Sequence, residues 1–227
     1  MQQQPLPIAL KASATFDNFY AGQNHAFIEQ LKNELQLTGF SVWYIWGEPG
    51  AGRSHCLQAC CHFMADIEKS SCYYPLDTMK NPDVLQGLEN IGLVALDNID
   101  AIINDSKWEE ALFHLYNRIQ ATSNKLIVSG DKPPRELGLT LPDLTSRLSY
   151  GLVYKLKALN DDEKIQAATL HAERLGLNLP QDITQFLIRR VSRDMPTLWD
   201  IIAKLDKAVW HQKRPLTIPF VKEVLGI

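Results

Sequence analysis

The stretch Gly47-Glu48-Pro49-Gly50-Ala51-Gly52-Arg53-Ser54 constrains this chain more than any other, because it has the spacing G-x-x-x-x-G-[K]-[ST] of a phosphate-binding loop with arginine in the lysine position. Such a loop works only between a strand and a helix. Its glycines let backbone N–H groups converge on phosphate oxygens, and the helix N-terminus adds its partial positive charge. The flanks supply that context: an apolar run at 42–46 reads as a strand, and a helix beginning near Ser54 and His55 is expected through Ile67. Ser54 is then placed to ligate Mg2+, while Arg53 meets a β-phosphate with a planar fork of donors where lysine offers a compact point charge.

A second half of the site is expected in Leu93-Val94-Ala95-Leu96-Asp97-Asn98, four apolar residues of a buried strand followed by a carboxylate where the strand emerges. Asp97 would hold the metal through water. The next residue is Asn98, which cannot accept a proton as a carboxylate would, so Arg53 and Asn98 together predict slow hydrolysis.

Around these motifs strands and helices alternate. Ala26, Phe27, Leu31 and Leu35 follow helical spacing and Gly39 closes that segment. Further strands are expected at 72–76, 91–96, 125–129 and 152–154, with helices at 84–88 and 108–121; Trp108, Phe113 and Tyr116 on the latter read as core. The pattern predicts a parallel sheet flanked by helices. After Lys157 no strand candidate remains. Asn160-Asp161-Asp162-Glu163 and Leu179-Pro180-Gln181-Asp182 open helices, Pro196 begins a third, and Thr217-Ile218-Pro219 caps a fourth. The expected organisation is an extended tail at 1–10, an α/β nucleotide-binding domain at 11–157 and a small all-helical domain at 158–227.

Charge narrows the function. Residues 1–157 carry 13 basic and 17 acidic side chains and residues 158–227 carry 10 and 9, so neither part has the basic field of a protein that grips DNA by itself. Apolar stretches such as 91–96 fall far below the ~20 residues of a membrane span. The opening Met1-Gln2-Gln3-Gln4-Pro5 lacks the basic start and apolar core of a secretory signal, and a cytoplasmic location is expected. Cys56, Cys60, Cys61 and Cys72 then read as reduced thiols, and their spacing fits no zinc finger or ribbon.

Several of these motifs occur together in one family. Thr15-Phe16-Asp17-Asn18-Phe19, the loop ending Gly52-Arg53-Ser54, Leu96-Asp97-Asn98-Ile99, Ser129-Gly130-Asp131-Lys132-Pro133-Pro134-Arg135, Leu141-Pro142-Asp143-Leu144-Thr145-Ser146-Arg147-Leu148 and Thr217-Ile218-Pro219-Phe220 resemble the AAA+ module of the DnaA/Hda family of bacterial replication proteins, over nearly the whole chain. The resemblance implies that Phe16, Phe19 and Tyr20 lie near the nucleotide base, with Gly47, Pro49, Gly50, Ala51, Gly52, Arg53, Ser54 and His55 around the phosphates. It makes Asp131 a sensor residue and Arg147 an arginine finger acting on a neighbouring subunit's nucleotide. Pro196 stands where the family places a second sensor arginine, and Arg193 is the candidate substitute; losing that contact agrees with a preference for ADP or another nucleoside diphosphate, bound with Mg2+.

The tail segment Gln3-Gln4-Pro5-Leu6-Pro7-Ile8 resembles the sliding-clamp-binding motif of the family, with Gln3, Leu6 and Ile8 as its anchors. The chain ends at Ile227, before the DNA-binding domain of an initiator, which together with the charge favours a regulator. The implied function is a clamp-bound regulator of chromosome replication initiation with little turnover of its own. It would stimulate ATP hydrolysis by DnaA through Arg147, prevent re-initiation and meet DNA only through the clamp. A homodimer or higher oligomer is an expected arrangement. The rival readings are an ATP-driven AAA+ loader or remodelling ATPase, and an adaptor whose nucleotide only holds its two domains in register.

Overall fold

The computed structural model describes residues 10–192 and 195–227, and the chain divides into two compact units, 1–158 and 159–227. In the first, strands β1 (Ser41–Trp46), β2 (Ser71–Pro75), β3 (Leu93–Asp97), β4 (Lys125–Gly130) and β5 (Leu152–Lys155) pair in parallel in the order β2-β3-β4-β1-β5. Helices α1 (His25–Gln36), α2 (Arg53–Asp66), α3 (Ser106–Thr122) and α4 (Pro142–Tyr150) cover the sheet.

Alternation along the strands divides the core in two. Trp43, Ile45, Tyr73, Ala95 and Ile127 pack with α1 and α2, whereas Val42, Tyr44, Val94, Leu96 and Val128 pack with α3 and α4. Strand β3 is buried along its whole length, as a parallel strand covered on both faces must be, while β5 at the edge leaves Leu152 and Val153 exposed. Trp108 and Tyr116 are core residues, and Phe113 packs against the same cluster.

Two segments differ from the sequence expectation. The helix expected at 84–88 is two 3-10 turns, Pro82–Leu85 and Leu88–Asn90, because Gly87 between them takes the left-handed φ of 79° and breaks the helix. Helix α4 was not expected; Pro142 in its first turn and the buried pair Leu144 and Leu148, one turn apart, account for it.

Layer α2 carries three of the four cysteines. Cys56, Cys60 and Cys61 on that helix and Cys72 on β2 are free and buried; burial pushes the Cys61 and Cys72 thiols up to about 12, and Cys60 well above the usual range. The entry into α1 is fastened to the end of β5 and the residues just after it by Asn24, which is buried. Its Nδ2 donates to the Lys157 carbonyl at 2.9 Å, and its Oδ1 accepts from the Lys157 N–H at 2.9 Å and from the Tyr154 hydroxyl at 3.3 Å. Phe27 stacks on the Tyr154 ring at 3.8 Å.

The second unit is helical: α5 (Asp161–Arg174), α6 (Gln181–Arg190), α7 (Met195–Gln212) and α8 (Ile218–Leu225). Asn160 and Glu163 form a reciprocal capping box at α5, each side chain accepting the other's backbone N–H at 2.9 Å. The Thr217 hydroxyl accepts from the Phe220 N–H at the start of α8, whose inner face buries Phe220 and Val221. Among the described residues no helix is long and apolar enough to cross a membrane.

Asn24→Ala removes the hydrogen bonds to both the N–H and the carbonyl of Lys157, which predicts a stability loss of about 1–3 kcal/mol. A lowered urea midpoint followed by tryptophan fluorescence checks it; an unchanged midpoint contradicts the fastening role.

Candidate functional site

In a parallel sheet flanked by helices, ligands bind beyond the carboxyl ends of the strands. The register gathers those ends here. Trp46 of β1 lies opposite Gly130 of β4 and Lys155 of β5, and Pro75 of β2 opposite Asp97 of β3.

The loop from Gly47 leaves β1 at this edge. Gly47 is buried and has no room for a side chain, since a Cβ would stand 2.6 Å from the Leu156 carbonyl oxygen. Glu48, Pro49 and Gly50 are exposed, Ala51 is buried, and Gly50 and Gly52 take φ of 82° and 96°, which non-glycine residues rarely adopt. Gly52 is the N-cap of α2 and so offers no side-chain acceptor to the first turn, leaving that role to an outside anion. Arg53 opens the helix with its Nη1 buried and lacking a hydrogen-bond partner among the described residues. A buried cationic donor in that state is satisfied by a phosphate oxygen.

Segment 15–20 lies across the start of α2. His55 Nε2 is 2.9 Å from the Thr15 carbonyl, the Phe19 ring meets His55 edge-on at 5.3 Å, and a Cβ on Gly52 would lie 3.1 Å from the same Phe19 ring. Phe16 sits edge-on to Phe63 at 6.0 Å, and Tyr20 is half-buried at the end of the segment.

Asp97, the last residue of β3, has no solvent exposure. The Tyr73 hydroxyl donates to its Oδ2 at 2.6 Å and the Ser129 hydroxyl donates to its Oδ1; the Ser129 oxygen in turn accepts from the Asn98 N–H at 3.1 Å. Burial, followed by the Asp97 charge, pushes the Tyr73 phenol far above its ordinary range, against a smaller opposing pull from Ser54 and Gln58. Ser54 and Asp97 are the hydroxyl and carboxylate that a divalent cation would need here, and the Tyr73 hydroxyl already occupies one oxygen of Asp97. Asn98 takes a left-handed φ of 59°. Among the described residues no three His, Cys, Asp or Glu side chains gather to hold a metal alone.

Asp131 is exposed just beyond β4, and its N–H donates to Asp100 Oδ1 at 3.0 Å. The Tyr44 hydroxyl donates to the Lys132 carbonyl at 2.8 Å after crossing Gly130, where any Cβ would collide with it. Burial, then the Asp100 and Asp131 carboxylates, push the Tyr44 phenol up, against a smaller opposing pull from Arg53. The sensor candidate and the phosphate loop therefore share one electrostatic neighbourhood.

Arg147 belongs to a different cluster. It is exposed on α4 with its guanidinium 5.6 Å from the centre of the Tyr116 ring, and it forms no ion pair among the described residues. Glu109, buried on α3, holds the start of that helix. Its Oε2 accepts from the Leu141 N–H at 2.8 Å and the Thr140 hydroxyl at 2.9 Å, and its Oε1 from the Asn104 N–H at 3.2 Å. Arg193 and the tail residues Gln3, Leu6 and Ile8 lie outside the described residues. Reading the sequence missed Tyr73, Ser129, Tyr44 and Glu109, whose respective partners Asp97, Asp97, Lys132 and Thr140 lie 24 to 88 positions away in the chain.

The family model described as the bacterial DnaA ATPase domain matches residues 10–155, and that described as the Hda lid domain matches residues 161–225. Domain III of the replication initiation protein DnaA of Thermotoga maritima is 19% identical, with a TM-score of 0.78 over 96% of this chain and 98% of that one. DnaA of Aquifex aeolicus, bound to AMPPCP, is 19% identical with a TM-score of 0.72 over 90% of this chain and 69% of that one. The Holliday junction branch migration motor RuvB of Thermotoga maritima is 13% identical, with a TM-score of 0.63 over 87% and 68%. At these identities the likeness to solved structures fixes the fold, an AAA+ α/β domain followed by a helical lid.

Glu109→Ala removes the acceptors at the start of α4. Hydrogen exchange of the α4 amides should speed up by about tenfold or more while that of α2 stays unchanged; equal acceleration in both helices would show a global effect instead.

Proposed function

The chain belongs to the DnaA/Hda family of AAA+ proteins, and from that premise we propose that it regulates the initiation of chromosome replication by acting on the initiator DnaA. In this reading it holds ADP, or another nucleoside diphosphate, and offers Arg147 to the ATP of a neighbouring DnaA subunit. The tail residues Gln3, Leu6 and Ile8 dock on the sliding clamp, so that the protein meets DNA only through the clamp.

The observation that carries the proposal is the presentation of Arg147. An exposed guanidinium without an ion-pair partner among the described residues, steadied against Tyr116 on a helix that buried Glu109 anchors, is preorganised for an anion supplied by another molecule. When water attacks the γ-phosphorus of the partner's ATP and the bond to the β–γ bridging oxygen breaks, negative charge grows on the oxygens between them. A guanidinium there is worth roughly 10³-fold or more in rate.

On the chain's own nucleotide, the loop glycines and Arg53 fit phosphates, with Phe16, Phe19, Tyr20 and His55 beside them and Asp131 as the sensor. Bound Mg2+ would neutralise phosphate charge between Ser54 and Asp97. Asn98 provides no base for an attacking water, which suits a diphosphate resident in the 11–157 nucleotide domain that precedes the 158–227 lid.

DnaA hydrolysing ATP on clamp-loaded DNA should be accelerated by the wild-type chain, and Arg147→Ala should remove on the order of 10²-fold or more of that acceleration while leaving nucleotide and clamp binding intact. Full stimulation by the variant would sink the arginine-finger reading. Rapid ATP turnover by the chain alone, lost in Asp97→Ala, would favour the loader reading instead.

A further inference from the structure

Helix α4 has a second flank that the arginine-finger reading does not use. Pro142, Thr145, Ser146 and Ser149 recur at three- and four-residue spacing and so share one side of the helix, while Arg147 leaves that stripe and meets Tyr116 of α3. Together with Tyr150 and Arg135, these four line an open cleft of about 390 Å3. Arg135 sits on the 3-10 turn Pro134–Glu136, between buried Pro134 and, two residues on, buried Leu137. Its backbone is thereby anchored while its side chain is exposed.

The lining of this cleft carries charge of one sign only. Glu136 and Asp143, on the same two elements, are not among its walls. The Ser149 hydroxyl donates to the Thr145 carbonyl at 2.7 Å, but among the described residues the Arg135 guanidinium has neither an ion pair nor a hydrogen bond, and the hydroxyls of Thr145, Ser146 and Tyr150 make no hydrogen bond. Of the four arginines in the first unit, Arg53 opens α2 with a buried Nη1 and Arg118 pairs with Glu89 at 3.0 Å, so the two exposed, unpaired guanidiniums both flank α4. A planar fork of donors beside free hydroxyls is matched by a carboxylate. Nucleic-acid phosphates would match the fork locally, yet 13 basic against 17 acidic side chains over residues 1–157 do not supply the field that such a polyanion needs.

We propose that this cleft is a docking site for an acidic surface of the protein to which Arg147 is offered, with Arg135 as its anchor. The inference rests on the reading of α4 as the element that meets DnaA, and it divides the work between the two flanks of that helix. Arg147 meets charge that grows only during hydrolysis, whereas a carboxylate held by Arg135 carries its charge throughout, so Arg135 contributes to association and not to the rate of the bound complex. A helix with its side chains is about 10–12 Å across, and a single partner lying along α4 covers both flanks at once.

The test is a titration of DnaA's ATP hydrolysis on clamp-loaded DNA with the full chain, as wild type, Arg135→Glu, Arg135→Lys and Arg147→Ala. Arg135→Glu should raise the half-maximal concentration about tenfold or more yet reach the wild-type ceiling, because reversing the anchor sets like charges against each other. Arg135→Lys, which keeps the charge, should stay within about threefold of wild type, and Arg147→Ala should lower the ceiling. Arg135 is exposed, and thermal denaturation verifies that its variants keep the fold. An unchanged half-maximal concentration in Arg135→Glu overturns the proposal; so does a fall in its ceiling alone, or an equal loss in Arg135→Lys. Absence of stimulation by wild type would instead overturn the DnaA reading, and this inference with it.

Discussion

A carboxylate with no solvent contact must be met by donors from whatever elements surround it, and Asp97 imposes that requirement on three strands together. Tyr73 brings β2 to it and Ser129 brings β4. A register slip of one residue between β2 and β3 would turn Tyr73 to the opposite face of the sheet and leave the acid without that donor. The polar cluster therefore specifies the pairing that the apolar faces favour only in general, and it does so at the edge where the phosphate loop emerges.

Around that cluster the two sides of the sheet are used differently. The α1 and α2 side carries the loop, Arg53 and the aromatic segment ending at Tyr20, all groups suited to a ligand held by this chain. The α3 and α4 side carries Arg147, turned outward and stabilised from beneath by Tyr116 and, one step removed, by Glu109. Tyr44 faces the α3 and α4 core yet sends its hydroxyl to the Lys132 carbonyl beyond Gly130, which links the loop after β4 to the strand that precedes the phosphate loop.

Legibility in the sequence followed the range of the interaction. The loop from Gly47 to Ser54, the buried strand ending in Asp97 and the capped helices of the second unit could all be read because each is written in consecutive or periodic residues. The strand near residue 91 was placed two residues early, since Ile91 and Gly92 extend the apolar run without joining the sheet. The helix expected at 84–88 failed on Gly87, whose left-handed backbone outweighs the apolar spacing around it. Tyr73 and Glu109 were invisible for another reason: nothing in Cys-Tyr-Tyr-Pro or Trp-Glu-Glu-Ala says that one tyrosine will find an aspartate and one glutamate an uncapped helix. The family resemblance located Arg147 but not the helix that carries it.

The four buried thiols have a consequence for how this fold can be watched. With the thiolate forms of Cys60, Cys61 and Cys72 suppressed by burial, an alkylating reagent added to the native chain finds almost no reactive sulfur. Modification then proceeds only when α2 lifts from the sheet, so its rate counts openings of that layer. Since α2 is also the helix that the phosphate-loop motif opens, each cysteine is a built-in clock for how tightly an occupant of the loop holds the layer shut.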